Sequence, residues 1–176
     1  MLEQLDSQPF VGNAWRVVGS RRDPMRGSTA NGRWGAPGEF EVLYTACDRE
    51  GALAEIGYRM SLEPIWPGKI NHELHRVEVA LDRVLDLTDF SLLAKFGIHE
   101  ESFAGHRYDA EQAVSAAARF LEFQAIRVPN ARYLGNNLVV YPDLVGALNG
   151  LTHVGSEPVD WNVWRSVNRS RPSRSR

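Results

Sequence analysis

A chain of 176 residues with 43% apolar and 24% charged side chains and a mean hydropathy of −0.33 can bury a sizeable core and fold as one domain. No run approaches the roughly eighteen apolar residues of a membrane span, and the single cysteine, Cys47, excludes an internal disulfide. The first ten residues, MLEQLDSQPF, have neither a basic nor an apolar stretch of the kind that opens a secretory leader, so a reducing, cytoplasmic setting is expected, with Cys47 as a small buried hydrophobe.

Charge is unevenly placed. After Asp160 come Arg165, Arg169, Arg171, Arg174 and Arg176 and no acid, leaving the preceding residues with 15 basic against 22 acidic side chains. An acidic body argues against a basic nucleic-acid groove, and the arginine-rich end reads as a solvated tail. The expected organisation is an N-terminal arm over 1–12, one domain over 13–160 and a disordered tail over 161–176.

In chain order, Ala14 to Val18 and Glu41 to Ala46 read as strands, the second apolar on both faces and so central in a sheet. Asp48 is positioned to cap a helix from Arg49 to Ser61, which Pro64 and the Trp-Pro-Gly at 66–68 bring to an end. Alternation at Val77, Val79 and Leu81 marks a strand from Leu74 to Leu81, and Val84 to Leu87 follows as a second or as its continuation. Phe90 to Phe96 reads as a short helix. Asp109 and Gln112 read as a capping pair before a helix to Phe123, and Ile126 to Val128 and Leu138 to Tyr141 return as strands. Strands at both ends with helices between predict an α+β fold with a mixed, partly split sheet and flanking helices.

The motifs of several chemistries are missing. The sequence has no P-loop, no dinucleotide-binding glycine fingerprint, no nucleophile elbow and no Cys-x-x-Cys pair. His72, Glu73 and His75 are the nearest approach to a metal set; on a strand the two histidines point to opposite faces, so they read as solvent-facing polar residues and no metal is expected.

What remains is Arg33 in GRWGAPG, Tyr44 in VLYTA and Glu55 in GALAE, each eleven positions from the next. A guanidinium can grip a pyrophosphate, and glycines beside it let backbone approach a ligand. An aromatic ring can border a flat heterocycle. A carboxylate on the apolar side of a helix is costly unless it is used or paired. The bland readings are a surface arginine, a core tyrosine and a solvent-facing glutamate.

These stretches, with AWRVVG before them and LDLT and FQAIRVPNARYLGNNLVVYPD after, resemble the RES-domain family, named for Arg, Glu and Ser, over most of the chain. The resemblance implies a fold like that of the ADP-ribosyltransferase toxins and a toxin of a bacterial toxin–antitoxin pair that acts on NAD as substrate. Arg33, Tyr44 and Glu55 match the family's G-R-W, Y-L-A and A-L-x-E positions. Arg16, in the opening Trp-Arg pair, and Asn137, before the last apolar strand, match two more.

Two positions depart from the pattern. The family's serine falls where V-P-N-A places Asn130, and Gly35 stands where asparagine is common. The amide of Asn130 can bind but cannot replace a hydroxyl in proton transfer, so Asn130→Ser is expected to raise turnover or leave it unchanged.

The implied chemistry is cleavage of the nicotinamide–ribose bond. Glu55 would stabilise the oxocarbenium-like centre, Tyr44 border the nicotinamide, Arg33 and Arg16 hold phosphates, and Asn130 and Asn137 line the pocket. Water, phosphate or a protein could accept the ribosyl group. The implied partner is a protein antitoxin, expected to be a helical DNA-binding protein encoded nearby. The rival reading is an inactive nucleotide- or protein-binding module on the same fold.

Overall fold

The computed structural model describes residues 2–67, 69–146 and 150–168. Strand β1 spans Ser7–Gly19, β2 Leu43–Ala46, β3 His72–Asp86, β4 Ala125–Pro129, β5 Asn136–Val140 and β6 Leu151–Pro158. The helices are α1 (Arg49–Ser61), α2 (Phe90–Leu93, continued as a 3-10 turn to Phe96), α3 (Asp109–Phe120) and α4 (Trp161–Asn168).

The sheet is mixed and nearly closed. Its order is β1-β2-β5-β4-β3-β6, and β1 also pairs with β3 from Ser7↔Leu85 to Gly19↔His72, so the sheet curls back on itself. The long strand β3 makes this possible. One edge carries β1; the other is divided between β6, antiparallel along Glu73 to Val79, and β4, parallel at Val84 to Asp86. The sheet is therefore split where β6 branches away, in accord with the α+β, mixed-sheet expectation.

Strand alternation assigns the faces. Val77, Val79 and Leu81 turn to one side with Ala14, Leu43, Ala125, Leu138 and Val140, and this cluster contains no helical residue, so it fills the interior of the curl. The outer face carries two further clusters. One packs Val114 and Ala118 of α3 on Val42, Ile126, Val128, Val139 and Tyr141; the other packs Ala52, Leu53 and Met60 of α1 and Trp161 of α4 on Val17, Ala46 and Leu74. Helix α4 approaches α1 closely because residue 57 is glycine: a Cβ there would collide with the Trp164 ring.

Of the two possibilities for Leu74 to Leu81 and Val84 to Leu87 the continuation holds: both lie almost wholly in the single strand β3, with Asp82 and Arg83 facing solvent. Other sequence readings need correction. Residues 7–12, read as an arm, are the first half of β1; their exposure leaves no apolar alternation to read. Strand β6 was missed for the same reason, being an exposed edge held by backbone pairing. The tail begins with helix α4, anchored by buried Trp161, whose indole N–H donates to His72 Nδ1 at 3.1 Å; residues 169–176 lie outside the described residues. The first cap falls at the expected residue and the second does not. Asp48 stands at the N-cap of α1 without a side-chain bond, and the N-cap of α3 is Tyr108. Cys47 is half-buried against the interior cluster, and burial pushes its thiol up.

His72 and His75 do face opposite sides of β3, but they are not simply solvent-facing. His75 is 5% exposed, and its Nδ1 lies 3.0 Å from His153 Nε2 on the neighbouring strand. Burial lowers the pKa of both His72 and His75.

Candidate functional site

Tyr44 lies on the outer face of β2, and the GRWG loop folds over its hydroxyl. The Trp34 backbone N–H donates to Tyr44 Oη at 3.2 Å, while Gly32 and Gly35 exchange backbone hydrogen bonds of 3.0 and 3.3 Å. A Cβ on Gly32 would stand 2.5 Å from Tyr44 Oη. The glycine therefore admits the tyrosine, where the sequence had suggested backbone approach to a ligand. Gln112, read as a capping residue, instead fastens this loop to α3, its amide donating to Asn31 Oδ1 at 2.8 Å and to the Gly32 carbonyl at 2.9 Å. Burial pushes the Tyr44 phenol up to about 12, against the opposing pull of the Trp34 N–H and of the Arg59 and Arg33 charges. It is a neutral hydroxyl at physiological pH.

Arg33 is held from four sides. Nη1 donates to Glu111 Oε1 at 2.9 Å and Nη2 to the Gly105 carbonyl at 3.1 Å, while the guanidinium lies 4.4 Å from the Phe103 ring centroid and 4.7 Å from that of Tyr108. The Arg33 and Glu111 side chains are only 12% and 8% exposed, so the positive charge is already balanced by a carboxylate. Three of the five N–H donors of a guanidinium remain for a ligand. Glu111 was not singled out in the sequence, where it reads as one more acid in the first turn of a helix.

The third group is built on α1. Gly51, Glu55 and Tyr58, at spacings of four and three, form one stripe facing the β4–β5 connection. The Gly51 carbonyl accepts from Asn130 Nδ2 at 3.4 Å, Glu55 Oε1 lies 3.5 Å from Asn137 Nδ2, and the Tyr58 ring lies 3.5 Å from the Arg132 guanidinium. Asn130 is fully buried and spent within the protein: Nδ2 donates to Asn137 Oδ1 at 2.8 Å, and Oδ1 accepts from the Arg132 N–H at 2.7 Å. Asn130, expected to line the pocket, thus has its amide engaged by Asn137, the Gly51 carbonyl and the Arg132 N–H.

The two halves meet through strand register. Ala46 pairs with Asn137 and Tyr44 with Val139, so Asn137 and Tyr44 are diagonal neighbours on one face. Arg16 is on the other side. Trp15 pairs with Ala46 and packs toward α1, which turns Arg16 to the opposite face of the sheet, across from His75. Burial lowers the Arg16 pKa despite Asp23 and Glu41, and its Nη1 has no hydrogen-bond partner among the described residues. The structure thus brings together Arg33, Tyr44, Glu55, Asn130 and Asn137 and leaves Arg16 apart.

The RES domain profile matches residues 13–162. The chain belongs to the RES-domain family. Its relatives include the NAD(+) phosphorylase MbcT of Mycobacterium bovis and that of Mycobacterium tuberculosis, each 29% identical in an alignment 133 residues long that covers 72% of this chain and 72% of the relative. The fold of this RES domain is that seen in the crystal structure of the M. tuberculosis MbcT–MbcA toxin–antitoxin complex, with a TM-score of 0.83 over 96% of this chain and 95% of the other at 24% identity. Among the described residues no helix is long and apolar enough to cross a membrane.

Proposed function

We propose that this RES-domain protein is the toxin of a bacterial toxin–antitoxin pair and consumes NAD by breaking its nicotinamide–ribose bond, with inorganic phosphate as the favoured acceptor. The observation that carries the reading is the Glu55 carboxylate, partly exposed on the same sheet face as Tyr44 and aligned by the Asn137 amide. As the bond from ribose C1′ to the pyridinium nitrogen breaks, its electron pair leaves with nicotinamide and positive charge develops on C1′ and the ring oxygen. A fixed carboxylate beside that carbon stabilises the charge. A phosphate oxygen then forms the new bond to C1′, giving ADP-ribose 1″-phosphate and nicotinamide. Phosphate is preferred over water or a protein side chain because the curated relatives are named NAD(+) phosphorylases.

In this reading Glu55 is catalytic, Tyr44 borders the nicotinamide as a neutral hydroxyl, and Arg33 orients a substrate phosphate through donors whose charge Glu111 offsets. Asn137 touches Glu55 and the ribose, and Asn130 acts through Asn137. Arg16 enters only as a support of the sheet from its other face. The protein works in the cytoplasm, and a cognate antitoxin, expected to be a helical DNA-binding protein, covers the site; the structural relative is itself part of a toxin–antitoxin complex.

The test is NAD depletion by the purified protein with and without phosphate, following nicotinamide and the phosphorus spectrum of the sugar product. Phosphate-dependent loss of NAD and an ADP-ribose phosphate ester are expected. Unchanged NAD with a folded protein would favour a binding module instead.

A further inference from the structure

The surroundings of Arg16, Arg33 and Arg132 differ. Arg16 faces away from the site, and Arg33 is balanced by Glu111. The third, Arg132, is assigned by none of the motifs and follows Asn130 in the β4–β5 connection. Its guanidinium is stacked on Tyr58 at 3.5 Å, and Nη2 donates to the Ala104 carbonyl at 2.9 Å. The very next carbonyl, that of Gly105, receives Arg33 Nη2. The two guanidinium groups thus grip consecutive peptide units of the same turn. Tyr58 is three residues from Glu55 on the α1 stripe, so Arg132 is stacked one helical turn from the carboxylate-bearing residue. Yet among the described residues Arg132 forms no ion pair. A half-buried guanidinium, held in plane by an aromatic ring and a backbone carbonyl and left without a counter-ion, is organised to receive an anion.

We infer that Arg132 binds a phosphate group at this site, supplying the uncompensated positive charge that Arg33 does not. This inference rests on the NAD-cleaving reading. The phosphate could be the attacking inorganic phosphate or the pyrophosphate of the dinucleotide, which share the chemistry of a tetrahedral anion. A phosphate here would sit between Arg132 and the remaining donors of Arg33, close to Glu55, where attack on C1′ needs it.

Arg132→Gln and Arg132→Lys separate the possibilities. Kinetics with NAD and phosphate varied independently are expected to show the KM of one of them raised about tenfold or more in Arg132→Gln, the scale of losing a charged hydrogen bond, with partial recovery in Arg132→Lys. A rise confined to phosphate identifies the acceptor subsite; a rise confined to NAD identifies the pyrophosphate subsite. Direct binding of inorganic phosphate and of pyrophosphate to the wild-type protein and to Arg132→Lys, by equilibrium dialysis, gives a readout that needs no turnover. If the wild type binds such an anion but leaves NAD intact, the proposed activity fails while the anion site stands. If neither variant changes KM or anion binding, with melting temperatures showing them folded, Arg132 is a clip between Tyr58 and Ala104 and the inference is overturned. Should Arg132→Gln fail to fold, the lysine variant decides, because it keeps the charge but cannot reproduce the planar two-donor grip.

Discussion

Replacing Glu55 by glutamine separates charge from shape at the proposed centre. The carboxylate meets Asn137 Nδ2 at 3.5 Å, a long contact that the glutamine oxygen can also make, so ground-state geometry and stability are expected to change little. The charge is what disappears. A carboxylate about 4 Å from a developing unit charge is worth roughly 4 kcal/mol at an effective dielectric constant of about 20. Glu55 is partly exposed and only part of a full charge develops, which brings the loss to roughly 3 kcal/mol, or about a hundredfold in kcat. The assay is nicotinamide release at saturating NAD and phosphate, with KM for NAD and the melting temperature measured alongside. A large fall in kcat with KM nearly unchanged is the signature of an interaction made mainly in the transition state. Retention of kcat within about threefold in a folded variant would refute the electrostatic argument and return Glu55 to the surface residues.

Asn130→Ser reverses sign against the sequence-based expectation: serine is too short to reach both Asn137 Oδ1 and the Arg132 N–H, so kcat should fall about tenfold and stability by about 1 to 2 kcal/mol, measured by initial rates and urea midpoints. Gly32→Ala forces a methyl group to 2.5 Å from Tyr44 Oη and should cost about 1 to 3 kcal/mol by the same denaturation measurement. Alkaline pH should destabilise the fold: Tyr44 ionises near 10 in the unfolded chain but at about 12 when folded, so its contribution is whole below pH 10 and is lost on the way to 12, by about 2 to 3 kcal/mol. Tyr141, also raised by burial, adds to the loss, and Tyr44→Phe should shallow the decline in unfolding free energy between those two pH values.

What could be read from the sequence was whatever depends on neighbours in the chain. Strands β4 and β5 are short apolar runs bounded by turn residues, and α1 sits between an acid that can cap and a proline that cannot continue. Strand β6 and the first half of β1 are strands because β3 pairs with them, and their exposed side chains carry no trace of it. The site divides in the same way. Arg33, Tyr44 and Glu55 are visible as unusual residues within motifs, but Glu111 lies 78 positions from Arg33, and Ala104 lies 28 from Arg132. Gln112 has the right spacing for a cap, and tertiary structure uses its amide elsewhere.

The division also explains how the site is kept rigid. One half, Arg33 and Tyr44, is fixed to α3 through Glu111, Gln112 and the bond from Ser115 Oγ to the Trp34 carbonyl. The other half, Glu55 with Asn137 and Asn130, is fixed to α1 through the Gly51 carbonyl. Neither helix sets the distance between the phenol and the Asn137 amide. That is done by the pairing of β2 with β5, Tyr44 opposite Val139 and Ala46 opposite Asn137. A slip of one residue would turn Asn137 into the apolar interior and bring Leu138 out to Glu55. Leu138, buried among Leu43, Ala125 and Val140, makes that slip costly. The interior packing of the sheet thus determines which side chains its outer face presents at the proposed site.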